Sequence, residues 1–82
     1  MTIEEAFGQV IRKLRKANDF SQEKLAEISS LDRSFISLLE TGKKQPSLIT
    51  IFQLAKALDT TQSKILTTVE AIIQSSQSIH YR

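Results

Sequence analysis

Apolar residues along this 82-residue chain recur at three- and four-residue intervals, in five short stretches divided by polar breaks and cap-type residues. That spacing is the period of an α-helix, and no strand candidate outcompetes it. The first stripe, Ile3, Phe7, Val10, Ile11 and Leu14, predicts a helix over 3–17. Glu4 and Glu5 lie near its start and Arg15 and Lys16 near its end, which suits the helix dipole. Asn18-Asp19 break it. Ser21 is placed to cap a second helix over 22–28, with Leu25, Ala26 and Ile28 as its buried side. Asp32 is placed to cap a third over 33–41, and Gly42 sits where a left-handed residue would end it. Ser47 opens a fourth over 48–58, with Leu48, Ile51, Leu54, Ala55 and Leu58 inward. Thr61 or Gln62 opens a fifth carrying Ile65, Leu66, Val69, Ile72 and Ile73. The expected fold class is all-α, one domain over 1–73 followed by a frayed Gln/Ser-rich tail over 74–82. Gly8 interrupts the first stripe at a propensity cost of about 1 kcal/mol. It reads as a tolerated defect or as a place where another backbone comes close.

Composition removes most chemistry. There is no cysteine, hence no disulfide, thiolate zinc site or cysteine nucleophile, and the single histidine, His80, stands in the polar tail with Tyr81. No glycine-rich phosphate loop and no metal-ligand spacing is present. The expectations are no catalysis, no cofactor, no metal and no small-molecule ligand. The acidic start, Met-Thr-Ile-Glu-Glu, is unlike a secretory signal, and no apolar run approaches the roughly 20 residues that span a bilayer. No membrane partner is expected, and the expected address is cytoplasmic, on the nucleoid.

Charge distribution says more than the net of +2. Arg12, Lys13, Arg15 and Lys16 form one basic knot and Lys43-Lys44 a second. Residues 22–41 hold two short helices separated by a tight turn, the layout in which a second helix enters the DNA major groove. On that second helix Ile36 and Leu39 point inward, leaving Arg33, Ser34, Ser37, Leu38 and Thr41 outward, with Glu40 between the faces. The outward set carries no carboxylate, as a surface approaching phosphates requires. Arg33 is its one group able to make a bidentate contact to guanine O6 and N7. Ser34 and Ser37 can donate to phosphate or base. Leu38 reads as a cover for a thymine methyl or as plain packing, and Phe35 as core or as a plug against sugar-phosphate.

Ser21-Gln22-Glu23-Lys24-Leu25-Ala26, Ser37-Leu38-Leu39-Glu40-Thr41-Gly42, Pro46-Ser47-Leu48 and Leu54-Ala55-Lys56-Ala57-Leu58 together resemble Xre-type proteins, the phage repressor and Cro superfamily. The match runs over roughly residues 7–66. Within it, Leu31-Asp32-Arg33-Ser34-Phe35-Ile36-Ser37 looks most like the controller proteins of restriction–modification systems, and also occurs in other Xre-type regulators. The resemblance implies a five-helix, phage-repressor-like DNA-binding domain. It implies a phosphate contact for Gln22, base-edge positions for Arg33, Ser34, Ser37 and Leu38, and a DNA-approaching aromatic at Phe35. It also implies a phosphate-gripping loop at Thr41, Lys43 and Lys44, and a partly buried ion pair between Arg15 and Glu40. The family usually has glycine where this chain has Ser30, and a second where Asp59 stands.

One short helix with one arginine reads few base pairs, and two-fold dimers double the site with half-sites about 34 Å apart. The expected dimer surface is Ile49, Phe52, Ile65, Leu66, Val69, Ile72 and Ile73, on helices four and five. The expected function is thus a homodimeric, sequence-specific transcriptional regulator on a palindromic or near-palindromic double-stranded DNA operator, with RNA polymerase as a further candidate partner. The alternative is a protein–protein interaction module, such as an antitoxin or adaptor.

Overall fold

The structure, a computed structural model, describes residues 1–75. Five helices run α1 Ile3–Ala17, α2 Gln22–Ser29, α3 Arg33–Glu40, α4 Leu48–Ala57 and α5 Gln62–Ser75, with no strand among the described residues. Their starts are chemical. Thr2 and Glu5 form a reciprocal capping box, Thr2 Oγ1 accepting from the Glu5 amide at 3.0 Å and Glu5 Oε1 from the Thr2 amide at 2.7 Å. The backbone hydrogen bond from Thr2 holds the Glu5 carboxyl below its ordinary pKa. Ser21 accepts from Lys24 N, Ser47 from Thr50 N and Thr61 from Lys64 N, each satisfying an otherwise orphaned amide. Asp32 departs from expectation. It occupies the N-cap position of α3 with extended backbone, but its side chain makes no cap hydrogen bond.

The ends follow one pattern. Asp19, Ser30, Gly42 and Asp59 follow α1 to α4 in the left-handed region, with φ of 58°, 60°, 73° and 54°. After each, the next amide reaches five residues back: Phe20 to Arg15, Leu31 to Ala26, Lys43 to Leu38 and Thr60 to Ala55. These are Schellman closures, which satisfy the last carbonyls. Only one of the four is glycine. The others are residues that pay steric strain in this conformation, aspartate less than serine because its side chain tolerates it better. Ser30→Gly is therefore expected to stabilise the domain by about 0.5–1 kcal/mol, the left-handed penalty less glycine's greater unfolded-state freedom. A thermal melt should rise by about 3–6 °C; an unchanged or lowered midpoint would mean that Ser30 is not strained.

Ile11, Leu25, Ile36, Leu39, Leu54 and Ile65 are the large side chains fully shut from solvent, so every helix contributes to one core. α1 packs against both α3 and α5, and α2 lies against α3 and α4. Several inward assignments change. Ile28 is exposed and Ser29 takes its place, its hydroxyl donating to the Leu25 carbonyl at 2.6 Å; Leu25, Ala26 and Ser29 share a side that Ile28 lies off. Leu48, the first residue of α4, is 68% exposed because nothing covers the helix start, whereas Thr50 is buried. α5 also runs past the expected boundary. Gln74 and Ser75 continue it, held by Ile73 in the core, and the remaining tail expectations, His80 and Tyr81 included, lie outside the described residues.

Candidate nucleic-acid interface

Between α2 and α3 the chain turns through Ser30, Leu31 and Asp32, with Leu31 packed against the core. Ile36 and Leu39 are buried without remainder, which fixes the rotation of α3 about its axis. Arg33 and Ser34 are then exposed at its start, Ser37 and Leu38 half-buried in its middle, and Thr41 exposed at its end. Spacings of one, four, five and eight residues from Arg33 put all five on one side of the helix. Phe35 is half-buried against the core and contributes packing as well as surface; Leu38 is half-buried too, but not as one of the side chains packed on that core. Thr41 spends its hydroxyl proton within α3, on the carbonyls of Ser37 and Leu38 at 3.0 and 3.2 Å. The Schellman closure through Gly42 then leads directly to Lys43 and Lys44, both exposed.

Behind this surface lies a buried charge. Glu40 does not sit between the faces of α3, as its spacing suggests, but inside, its side chain 3% exposed. Arg15 grips it with two hydrogen bonds, Nε to Oε2 at 2.6 Å and Nη2 to Oε1 at 3.0 Å, and donates a third to the Phe20 carbonyl at 2.9 Å. A bidentate guanidinium–carboxylate contact of this kind needs arginine, because lysine cannot fork. The Glu40 carboxylate holds the Arg15 guanidinium above its ordinary pKa, against the partial burial that acts the other way. Gln22 Nε2 donates to the same Glu40 Oε1 at 3.1 Å. One buried carboxylate thus ties α1, α2 and α3 together at a single point.

Gln22 has a second role that its position in the chain did not disclose. With its amide nitrogen on Glu40, its oxygen faces outward and accepts from Arg33 Nη1 at 3.4 Å. Glu23 stands beside the same guanidinium, Oε2 lying 3.9 Å from Arg33 Nε. So the outward face of α3 is free of acid on its own helix but not in its neighbourhood. Periodicity could not have reported this, since the contact joins the first turns of two different helices.

The expected dimer surface divides in two. Ile65, Val69 and Ile73 are instead buried within this chain's own core, where α5 meets α1 and α4, and offer no surface to a second copy; Ile72 is partly covered. Ile49, Phe52 and Leu66 remain exposed, at 72%, 49% and 44%, and Leu48 joins them. Among the described residues no helix is long and apolar enough to cross a membrane.

Known proteins resemble this chain in sequence and fold. A helix-turn-helix family profile matches residues 11–62. The control protein C.SmaI of Serratia marcescens is 43% identical over 67 residues, spanning 82% of this chain and 80% of its own. The restriction–modification controller protein C.AhdI of Aeromonas hydrophila superposes with a TM-score of 0.74 at 44% identity, over 76% of this chain and 94% of that one. The controller protein C.Esp1396I, solved as a tetramer on its natural 35 base-pair operator, superposes with a TM-score of 0.77 at 25% identity, over 84% and 91% of the two chains. In fold, in motif and in sequence, the chain belongs to the helix-turn-helix family of restriction–modification controller proteins.

Proposed function

We infer that this protein is a sequence-specific DNA-binding transcriptional regulator, acting as a homodimer on a palindromic or near-palindromic operator that controls restriction–modification genes. The carrying observation is α3 itself: a helix locked in rotation by Ile36 and Leu39, offering Arg33, Ser34 and Ser37 outward, and ending in Lys43-Lys44. A relative bound to its operator supports the reading. Such a helix enters the major groove with Arg33 forking to a guanine, while Ser34, Lys43 and Lys44 meet phosphates and set register, joined by Thr41 when its hydroxyl turns away from the Ser37 and Leu38 carbonyls. Phe35 and Leu38 lend apolar contact at the groove wall. Gln22 serves from the rim through the second proton of its amide. Ile49, Phe52, Leu48 and Leu66 form the apolar surface through which two copies pair, since an exposed patch of this kind on a small domain is otherwise a liability. No catalytic step is required. The regulator works in the cytoplasm, on the nucleoid, and acts on RNA polymerase through where its operator lies.

Selection from a random duplex library should return a two-fold symmetric site whose affinity falls steeply with salt. Arg33→Ala should cost about 1–3 kcal/mol at one base position per half-site and flatten preference there. Lys43→Ala should weaken every duplex alike and reduce the salt slope by about one. A selection that returns no preferred sequence overturns the regulator reading. Preference left intact in Arg33→Ala overturns the assignment of Arg33.

A further inference from the structure

We propose that Glu23 is a specificity-determining residue of this interface, clasping Arg33 so that only part of its fork is free for a base. The inference rests on the reading of α3 as the base-contacting helix. An arginine guanidinium carries five N–H donors in a rigid plane: one on Nε and two on each terminal nitrogen. Glu23 Oε2 stands by the Nε edge at 3.9 Å, and Gln22 Oε1 takes a proton on Nη1 at 3.4 Å. Neither contact engages Nη2, so both of its protons and one on Nη1 remain for a base, enough for a two-point contact to guanine O6 and N7.

The two clasping groups are not equivalent. Gln22 is itself anchored, its amide nitrogen on the buried Glu40, so its oxygen is a fixed landmark. Glu23, in the first turn of α2, has no such anchor: its side chain is 73% exposed and its carboxylate faces the same surface as Arg33. Without it, the long arginine side chain can swing to the nearest phosphate, a contact available on any sequence. With it, a phosphate oxygen approaching the Nε edge meets negative charge. Rejection of the wrong contact by a placed repulsive group is how specificity is gained where attraction alone would serve every sequence. The simpler role for Glu23, a favourable charge at a helix N-terminus, predicts an effect on stability but none on sequence preference.

The test compares affinity for the duplex recovered by selection with affinity for a shuffled duplex of the same base composition, at fixed salt. In Glu23→Gln the ratio of the two is expected to fall about three- to fivefold, the size an exposed charge pair supports, chiefly through tighter binding to the shuffled duplex. Glu27→Gln is the control. It removes the same charge from the same helix, but Glu27 pairs with Lys24 at 3.3 Å, not with Arg33, so the ratio should hold. Replacing the guanine whose selection depends on Arg33 with 7-deazaguanine, which lacks the N7 acceptor, should also cost less in Glu23→Gln than in the parent. An unchanged ratio in Glu23→Gln, or an equal fall in Glu27→Gln, overturns the proposal. A parent chain that does not distinguish the two duplexes overturns the regulator reading instead, so the two failures are separable.

Discussion

Gly8→Ala is expected to destabilise the domain by about 2–3 kcal/mol and to lower its melting temperature by at least about 10 °C. On helix propensity alone the sign would be opposite, because alanine in a helix interior gains about 1 kcal/mol over glycine. The contact geometry decides. A Cβ on Gly8 would lie 2.3 Å from the Leu39 carbonyl oxygen and 2.7 Å from that of Glu40. Both are backbone atoms at the closing turn of α3, with no side chain to swing aside. The methyl must push α3 away from α1, and α3 is the helix proposed to read DNA. Binding should therefore weaken further than the loss of folded protein accounts for. Circular-dichroism melts alongside operator titration corrected for folded fraction will separate the two effects. Gln9→Ala, next in sequence and exposed, should stay within about 0.5 kcal/mol of the parent. A neutral or stabilised Gly8→Ala would mean that α1 and α3 slide freely against each other.

Of the two readings open for Gly8 from sequence, the close approach of another backbone is the one the structure supports. Much of the rest was legible for equally local reasons. Apolar spacing and cap residues located all five helices within one or two residues at their ends, because helix period and capping chemistry act over a single turn. The same locality explains the errors. Leu48 and Ile28 look inward by spacing, yet burial depends on what lies opposite, and nothing covers the first residue of α4. Ile65, Val69 and Ile73 looked surplus to a five-helix core, yet that core needs them, because α1 is flanked on two sides and α5 supplies one of those sides. At the candidate interface, Arg33 and the serines are readable from one helix. Their setting is not. Glu40 sinks beneath α3, Gln22 turns its oxygen outward and Glu23 comes alongside Arg33, all through contacts between helices that no single-helix pattern records.

Arg15→Ala is expected to have the largest effect of all, about 3–5 kcal/mol, because it leaves the Glu40 carboxylate buried with only Gln22 to satisfy it. Against a total of about 4–12 kcal/mol for a chain of this size, that approaches global unfolding at physiological temperature. The loss reflects an orphaned charge more than the worth of the pair, since desolvating both ions cancels much of their attraction. Replacing both partners with apolar residues of similar length, Arg15→Met with Glu40→Leu, should therefore recover most of the stability. It should not recover sequence preference. In the double variant Gln22 has no carboxylate to hold its amide nitrogen, so its oxygen no longer stands fixed beside Arg33, and the fork is free to turn. Stability from denaturant titration and preference from the selected-to-shuffled affinity ratio should thus part company in one protein. If Arg15→Ala costs under about 1 kcal/mol, the pair behaves as an exposed one and the buried anchor is refuted. If the double variant regains both stability and preference, Glu40 holds helices together and does nothing to aim Arg33.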